Sequence, residues 1–251
     1  MIRIGRLLLA IAGAAWAQAA SSAQPPGPAS HGVAVIELFT SEGCSSCPPA
    51  DALLERFVGD AQRSGRPVYG LSFHVDYWDH LGWKDRYSSA DYSQRQSRYA
   101  RRLGLGSLYT PQMIVNGTRE FVGSNRAAAD AAIREALANA APARIRLSAS
   151  VQGHEVAVKY AVEGAPAGAI LEVAWVDAHA ESAPSRGENQ GRALRHANVV
   201  RDLRSAELNG ALAGTIRVTR PEARDGEVIA WVQAEPAGRV LGAASQPVPA
   251  R

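Results

Sequence analysis

Apolar residues gather first into two short, nearly unbroken runs. Val33 to Phe39 (VAVIELF), interrupted only by Glu37, and Pro67 to Val75 (PVYGLSFHV) have the length and β-branched content of strands buried on both faces. Between them, Cys44 to Asp60 sets Leu53, Leu54, Phe57 and Val58 on one side of a predicted helix. Its first turn tolerates Pro48 and Pro49, and Gly65 and Pro67 punctuate its end. Strand, helix and strand with a connection of this length predict a right-handed βαβ unit and hence a parallel sheet. Asp76 to Tyr87 is aromatic and irregular, and Ser88 to Leu103 reads as a polar helix ending near Gly104 and Gly106. Thr110 to Gly117 (TPQMIVNG) places a proline at a strand entrance and ends on Asn-Gly, a strong hairpin signal, with Phe121 and Val122 on the return strand. Alanine-rich Asn125 to Ala140, with Ile133 and Leu137 four apart, predicts a helix that closes this part of the chain near Ala141.

Beyond Pro142 the pattern changes to short alternating segments. Arg144 to Val151, Glu155 to Val162, Ile170 to Val176, Thr215 to Thr219, Glu227 to Gln233 and Arg239 to Ala243 read as strands, most of them separated by turn residues. Such spacing favours an antiparallel sandwich. The expected organisation is therefore an α/β domain over 32–141 followed by an all-β, sandwich-like domain over 142–251.

The first thirty residues have a different logic. Arg3 and Arg6, an apolar run from Leu7 to Ala17 and the small-residue site Ala17-Gln18-Ala19 read as a secretory signal, residues 1–19, followed by a Pro-containing leader, 20–31. The apolar run is about half the roughly 20 residues a bilayer crossing needs, so no transmembrane segment is expected after cleavage. The product is expected to be periplasmic or secreted. Losing two arginines takes the formal charge from +3 to about +1, and nothing argues for nucleic acid. Arg95, Arg98, Arg101 and Arg102 sit at near-helical spacing and read as a solvated helix face.

The only two cysteines are Cys44 and Cys47, in Cys-Ser-Ser-Cys. An exported chain keeps structural disulfides, but a bridge between residues three apart closes a very small loop and constrains the unfolded chain little. The spacing suits chemistry better. Disulfide exchange needs an accessible thiolate and a second thiol to resolve the mixed disulfide. Cys44, at a helix start, is the expected nucleophile because unpaired N–H groups and the helix dipole favour its charge, and the more buried Cys47 would resolve. Hydroxyls of Ser45 and Ser46 can donate to sulfur, which favours the reduced form and a fairly oxidising pair.

Val33 to Gly117 resembles the thioredoxin superfamily in its order: a strand, the CxxC at a helix start, a second strand, and Thr110-Pro111 before a hairpin. That resemblance implies a cis proline facing the disulfide, with Pro111 offering backbone to an extended substrate strand. Gly43 departs from it, standing where thioredoxins carry a tryptophan. More closely, Phe39 to Asp51 (FTSEGCSSCPPAD), Arg186 to Asn189 (RGEN) and Leu194 to Arg201 (LRHANVVR) resemble the DUF1223 family of exported bacterial proteins, a segment of which also resembles outer-membrane proteins related to Omp28.

Around the pair, Glu37 offers a buried proton acceptor for Cys47 or, equally, a strand glutamate paired with an arginine. His74, Asp76, Asp79 and His80 bring imidazole and carboxylate to the strand edge, where they serve either a loop packed by Tyr77, Trp78 and Trp83 or a metal. The loop Arg186 to Arg192 (RGENQGR) is long enough to reach the first domain, with Glu188, Asn189 and His196 as weaker candidates. The leading expectation is a thiol-disulfide oxidoreductase that acts on protein thiols or disulfides, needs no cofactor beyond the Cys44–Cys47 disulfide, and exchanges with an unknown redox partner. The alternatives are a copper or zinc protein using Cys44, Cys47 and His74, and a non-catalytic binding module on the same scaffold.

Overall fold

A computed structural model describes residues 32–221 and 225–249. The expected signal peptide and leader lie outside the described residues. The chain runs through β1 (Ala34–Thr40), α1 (Pro48–Ser64), β2 (Val68–His74), a 3-10 turn (Asp76–Leu81), α2 (Ala90–Leu103), β3 (Gln112–Val115), β4 (Arg119–Val122) and α3 (Arg126–Ala138). It continues as strands only: β5 (Arg144–Gln152), β6 (Glu155–Glu163), β7 (Ile170–Ser182), β8 (Leu194–Glu207), β9 (Ala213–Thr219), β10 (Gly226–Gln233) and β11 (Val240–Val248).

Eight strands form one mixed sheet in the order β11-β10-β7-β8-β2-β1-β3-β4, and β5-β6-β9 form a second. The protein is thus mostly β, with strands from both sides of residue 141 in the same sheet. β1 and β2 are parallel, as the βαβ reading requires, while β3 and β4 return antiparallel to β1. The junction between the halves is β8, which meets β2 in parallel at Ser72 and Val199 and lies antiparallel to β7. Asn198 reinforces it, donating from its side chain to the Gly70 carbonyl at 2.9 Å.

β1 is buried on both faces, which explains its unbroken apolar run. Ala34, Ile36 and Leu38 pack with Leu53, Leu54 and Val58 of α1 and with Ala129, Ala132 and Ile133 of α3. Val35 and Phe39 point the other way, toward Tyr92 and Tyr99 of α2 and Trp231 of β10. A third core joins the two sheets, with Val156, Val158 and Val218 packed against Leu171, Val173, Trp175, Val228 and Val232.

Local chemistry sets several boundaries. Helix α1 begins with its two prolines, so Cys47 is its N-cap and the Cys44–Cys47 segment is a preceding turn, which corrects the expected start at Cys44. Ser89 and Asn125 cap α2 and α3 through their side chains. The Asn116-Gly117 hairpin is formed with both residues at positive φ, 49° and 69°. A Cβ on Gly117 would overlap the Gly238 carbonyl, and the Asn116 side chain holds β1 by bonds to Val35 N (2.7 Å) and Val33 O (2.8 Å).

Arg95 contradicts the solvated-face expectation. Its side chain is 1% exposed and reaches through the core to Glu37 of β1 (2.6 Å), Glu172 of β7 (2.9 Å) and Gln233 of β10 (3.0 Å). The arginine turns inward because β1 and β7, strands from either side of residue 141, each bury a carboxylate against α2, and a buried carboxylate requires a cation.

Among the described residues no helix is long and apolar enough to cross a membrane.

Candidate functional site

Cys44 and Cys47 form a disulfide with their Cα atoms 5.4 Å apart, at the end of the β1–α1 turn. The turn closes with the Cys47 N–H donating to the Cys44 carbonyl at 3.2 Å. The Cys47 carbonyl then accepts from Ala50 (2.8 Å) and Asp51 (3.1 Å), so the helix propagates directly from the second cysteine. Ser45 and Ser46 are exposed, but both cysteines are 0% exposed. Cys44 is therefore as buried as Cys47 in the disulfide form, against the expectation of an accessible first cysteine.

Three elements surround the turn. The Arg186–Arg192 loop lies over the turn: Asn189 donates to the carbonyls of Glu42 (2.9 Å) and Cys44 (2.8 Å), and the Ser45 N–H donates to Glu188 at 2.9 Å. Bonds from the Ser45 hydroxyl and N–H hold the Glu188 carboxyl below its ordinary range. Arg192 holds Asn189 in place through its Oδ1 at 2.9 Å. From the other side Trp78 packs on Gly43, where a Cβ would approach the Trp78 Cβ to 3.2 Å, and its indole donates to the Thr110 hydroxyl at 2.8 Å. A tryptophan of the aromatic insertion thus lies beside the residue that precedes the first cysteine. The Thr110–Pro111 peptide is cis, and Pro111 is buried beside the first turn of α1, with a Cβ on Gly123 falling 3.1 Å from both Ala50 and Pro111.

Of the two intervening hydroxyls, Ser46 lies 3.3 Å from the Cys44 sulfur, whereas Ser45 is turned to Glu188. Glu37 does not approach the pair. It lies on the face of β1 opposite α1, where Arg95 and the Tyr99 hydroxyl saturate it. This is the arginine-paired outcome, because strand alternation sends Glu37 away from the helix that carries Cys47.

Beneath the turn lies a second buried ionisable cluster. His74, at the end of β2, shares Nδ1 with Asp85 at 2.6 Å, and Asp85 also accepts from the N–H groups of Glu42 and Tyr87, both at 2.9 Å. Burial works against a charged His74, but Asp85, with Asp51 and Glu42 behind it, outweighs this and raises its pKa. Burial likewise works against a charged Asp85, and His74 with the two N–H groups outweighs it and lowers its pKa. The His196 ring from β8 stands edge-on to His74, centroids 4.7 Å apart, with Nε2 3.8 Å from Glu42 and Nδ1 3.7 Å from Asp51. Trp83 donates to the other Glu42 oxygen at 2.6 Å. Glu42 Oε1, Asp51 Oδ1, His74 Nε2 and both His196 nitrogens are buried with no hydrogen-bond partner in the protein.

Among the described residues no three His, Cys, Asp or Glu side chains are placed to hold a metal ion. Asp76 bonds Ser93, Asp79 bonds the Asp85 N–H and Ser88, and His80 bonds the Tyr77 carbonyl, so these side chains shape the insertion.

A family model described as "Protein of unknown function (DUF1223)" matches residues 35–233, from β1 to the end of β10. The chain belongs to the DUF1223 family. This DUF1223 protein is similar to a crystal structure of a protein from Agrobacterium tumefaciens, with 27% identity and a TM-score of 0.62 over 88% of this chain and 96% of that one. It also shares its fold with HBP35 of Porphyromonas gingivalis, at 15% identity and a TM-score of 0.61 over 87% of this chain and 76% of that one. No curated protein matches it.

The three segments that carried the family resemblance, 39–51, 186–189 and 194–201, meet in space around the disulfide. Sequence reasoning reached Glu188, Asn189 and His196 only as weaker candidates, read Trp83 as loop packing, and gave no role to Glu42, Asp51 or Asp85. Asp51 had a usable signal, since it lies four residues after Cys47 and so shares its helical face. Asp85 had none, because its partner is fixed by the path of an irregular insertion.

Proposed function

We propose that this DUF1223 protein is an exported thiol-disulfide oxidoreductase with a thioredoxin-like redox centre, acting on protein thiols or disulfides through Cys44 and Cys47. The observation that carries this reading is the disulfide at the N-terminus of α1, with the cis Thr110–Pro111 peptide beside the same helix. The order β2-β1-β3-β4, with the CxxC after the first strand and the proline before the third, supports it. Ser46 beside the Cys44 sulfur and the start of a helix favour a stabilised thiolate there. Cys44 exchanges with the substrate sulfur and Cys47 resolves the mixed disulfide.

Access is gained by moving the Arg186–Arg192 loop, whose hold on the turn consists of the Asn189 and Glu188 hydrogen bonds. The part of the chain beyond residue 141 then controls which partners reach the sulfurs.

Expression of Cys47→Ser in the exporting compartment, followed by mass spectrometry of disulfide-linked species, tests the reading. Partners linked through Cys44, and absent from the Cys44→Ser, Cys47→Ser double variant, are expected. No trapped partner, together with no disulfide exchange by the reduced wild-type protein, overturns it.

A further inference from the structure

Resolution of a mixed disulfide requires the second thiol to lose its proton while buried, and Cys47 is fully buried. The carboxylate expected to serve it, Glu37, faces the opposite side of the sheet and is saturated by Arg95 and Tyr99. Asp51 is placed for the task instead. Cys47 has helical dihedrals (φ −78°, ψ −38°) and its carbonyl accepts from the Asp51 N–H at 3.1 Å, so the two side chains stand in the i, i+4 relation on one face. Such positions hold their Cβ atoms roughly 5–6 Å apart.

Asp51 is 4% exposed, its Oδ1 has no hydrogen-bond partner in the protein, and its Oδ2 faces His196 Nδ1 at 3.7 Å. A buried carboxylate with a free oxygen is costly for a fold and useful to a neighbouring thiol. The geometry points to Asp51 as the acceptor of the Cys47 proton, with His196, whose ring faces the carboxylate at 3.7 Å, as the positioning residue, so that strand β8 completes the redox centre. This inference rests on the oxidoreductase reading and names the proton path of that same site.

In the step, the Cys47 thiol gives its proton to Asp51 and its sulfur attacks the Cys44 sulfur. The Cys44–Cys47 bond forms as the bond from Cys44 to the substrate sulfur breaks, and the electron pair leaves on the substrate as thiolate, which solvent protonates. Overall the two cysteine thiols are oxidised to the disulfide and one disulfide of the protein substrate is reduced to two thiols. Asp51 returns its proton to solvent. In the opposite direction it delivers the proton to Cys47.

The groups that face His196 come from every element around it: Glu42 of the β1–α1 turn, Asp51 of α1, His74 of β2 with its partner Asp85, and Tyr87, over which Arg201 lies. The test therefore compares whole pH profiles. Reduced protein is loaded at Cys44 with one thionitrobenzoate group, and release of the coloured thiolate on ring closure is followed from about pH 5 to about pH 9 in wild type, Asp51→Asn and His196→Gln. Asp51→Asn is expected to slow closure near neutral pH by on the order of 100-fold and to move the rise of the profile toward the ordinary thiol range of about 8.5. His196→Gln is expected to slow it less, with a profile moved the same way.

Opposite signs separate the proton acceptor from a mere charge. Removing a negative neighbour lowers the Cys47 thiol pKa, which absorbance titration of Cys44→Ser with and without Asp51→Asn measures. A carboxylate acting only as a charge therefore gives faster closure on its removal. Faster or unchanged closure in Asp51→Asn overturns the inference, as does an unchanged profile in His196→Gln should the Asp51 variant not fold. A wild type that takes no adduct at Cys44, or never closes, sinks the oxidoreductase reading itself.

Discussion

Two buried charged clusters join the first part of this chain to the second, and they are built to opposite standards. Around Arg95, each guanidinium nitrogen is bonded, Glu37 and Glu172 are both engaged, and Gln233 and Tyr99 fill the remaining positions. Around His196, both ring nitrogens and one oxygen each of Glu42 and Asp51 lack partners in the protein. A saturated network fixes where three strands and a helix meet. An unsaturated one, set against a disulfide, retains the capacity to accept and release protons.

The largest expected effect breaks the first cluster. Arg95→Met leaves Glu37 and Glu172 buried without a cation and should cost about 3–5 kcal/mol of stability, read as a lowered denaturation midpoint. The methionine retains part of the packing against Phe73, Tyr99 and Trp231, whose rings the guanidinium covers at 5.3–5.6 Å. Sulfur chemistry per folded molecule should be unaffected. If Arg95→Met instead leaves stability intact and alters closure of the disulfide, the division between the clusters is wrong.

The second cluster should make stability depend on pH through His74 and Asp85. His74 has a raised pKa, so its contribution is fully present below the unfolded value of about 6.5 and fades as pH rises through the folded one. Asp85 has a lowered pKa, so its contribution is present above about 3.9 and is lost as pH falls through the folded value. Their bond therefore adds most between those limits. Asp85→Asn should remove about 1.5–3 kcal/mol there and flatten the stability profile. Denaturant titrations at several pH values check this, and a profile parallel to wild type would show that the pair adds no pH-linked stability.

The same contrast explains what could be read from sequence. Strands β1 and β2, helix α1 and the Asn116-Gly117 hairpin follow from residues close together in the chain: apolar runs, two prolines, one Asn-Gly. Six strands of the later part were legible from alternation. Strand β8 was not, because Arg195, His196, Asn198, Arg201, Asp202 and Arg204 break its apolar pattern, and several of these are polar for reasons of long-range pairing. His196 faces Glu42 and Asp51, Asn198 bonds Gly70, and Arg201 bonds Asp177 at 2.5 Å from an extra position in the β7–β8 register. The junction of the fold was hidden for the reason that it matters. In the site, the cysteines, Ser46 and Pro111 were named from a local motif, while the bond between Glu42 and Asp85 spans 43 residues and the inward turn of Arg95 depends on partners 58 to 138 residues away.

The smallest effects lie at the edge of the second cluster, in the loop that separates it from solvent. Asn189→Ala removes two hydrogen bonds to the cysteine turn, a loss of about 1–2 kcal/mol, and so should accelerate reduction of the disulfide by a water-soluble phosphine about tenfold, since reduction of a buried bond proceeds through local opening. Global stability should fall by no more than the same small amount. Glu188→Gln should act in the same direction but more weakly, because its carboxylate is exposed and its bond to Ser45 is screened. Its signature is the pH dependence. The Glu188 pKa is lowered, so the bond to Ser45 is intact above the ordinary glutamate value of about 4.3 and is lost as pH falls through the lowered one. Wild-type reduction should therefore speed up in that acid range, and Glu188→Gln should lack the acceleration because it has no charge to lose. Equal reduction rates in wild type and Asn189→Ala would mean that the loop does not gate the sulfurs. Equal acid acceleration in wild type and Glu188→Gln would assign the gating charge to another carboxylate.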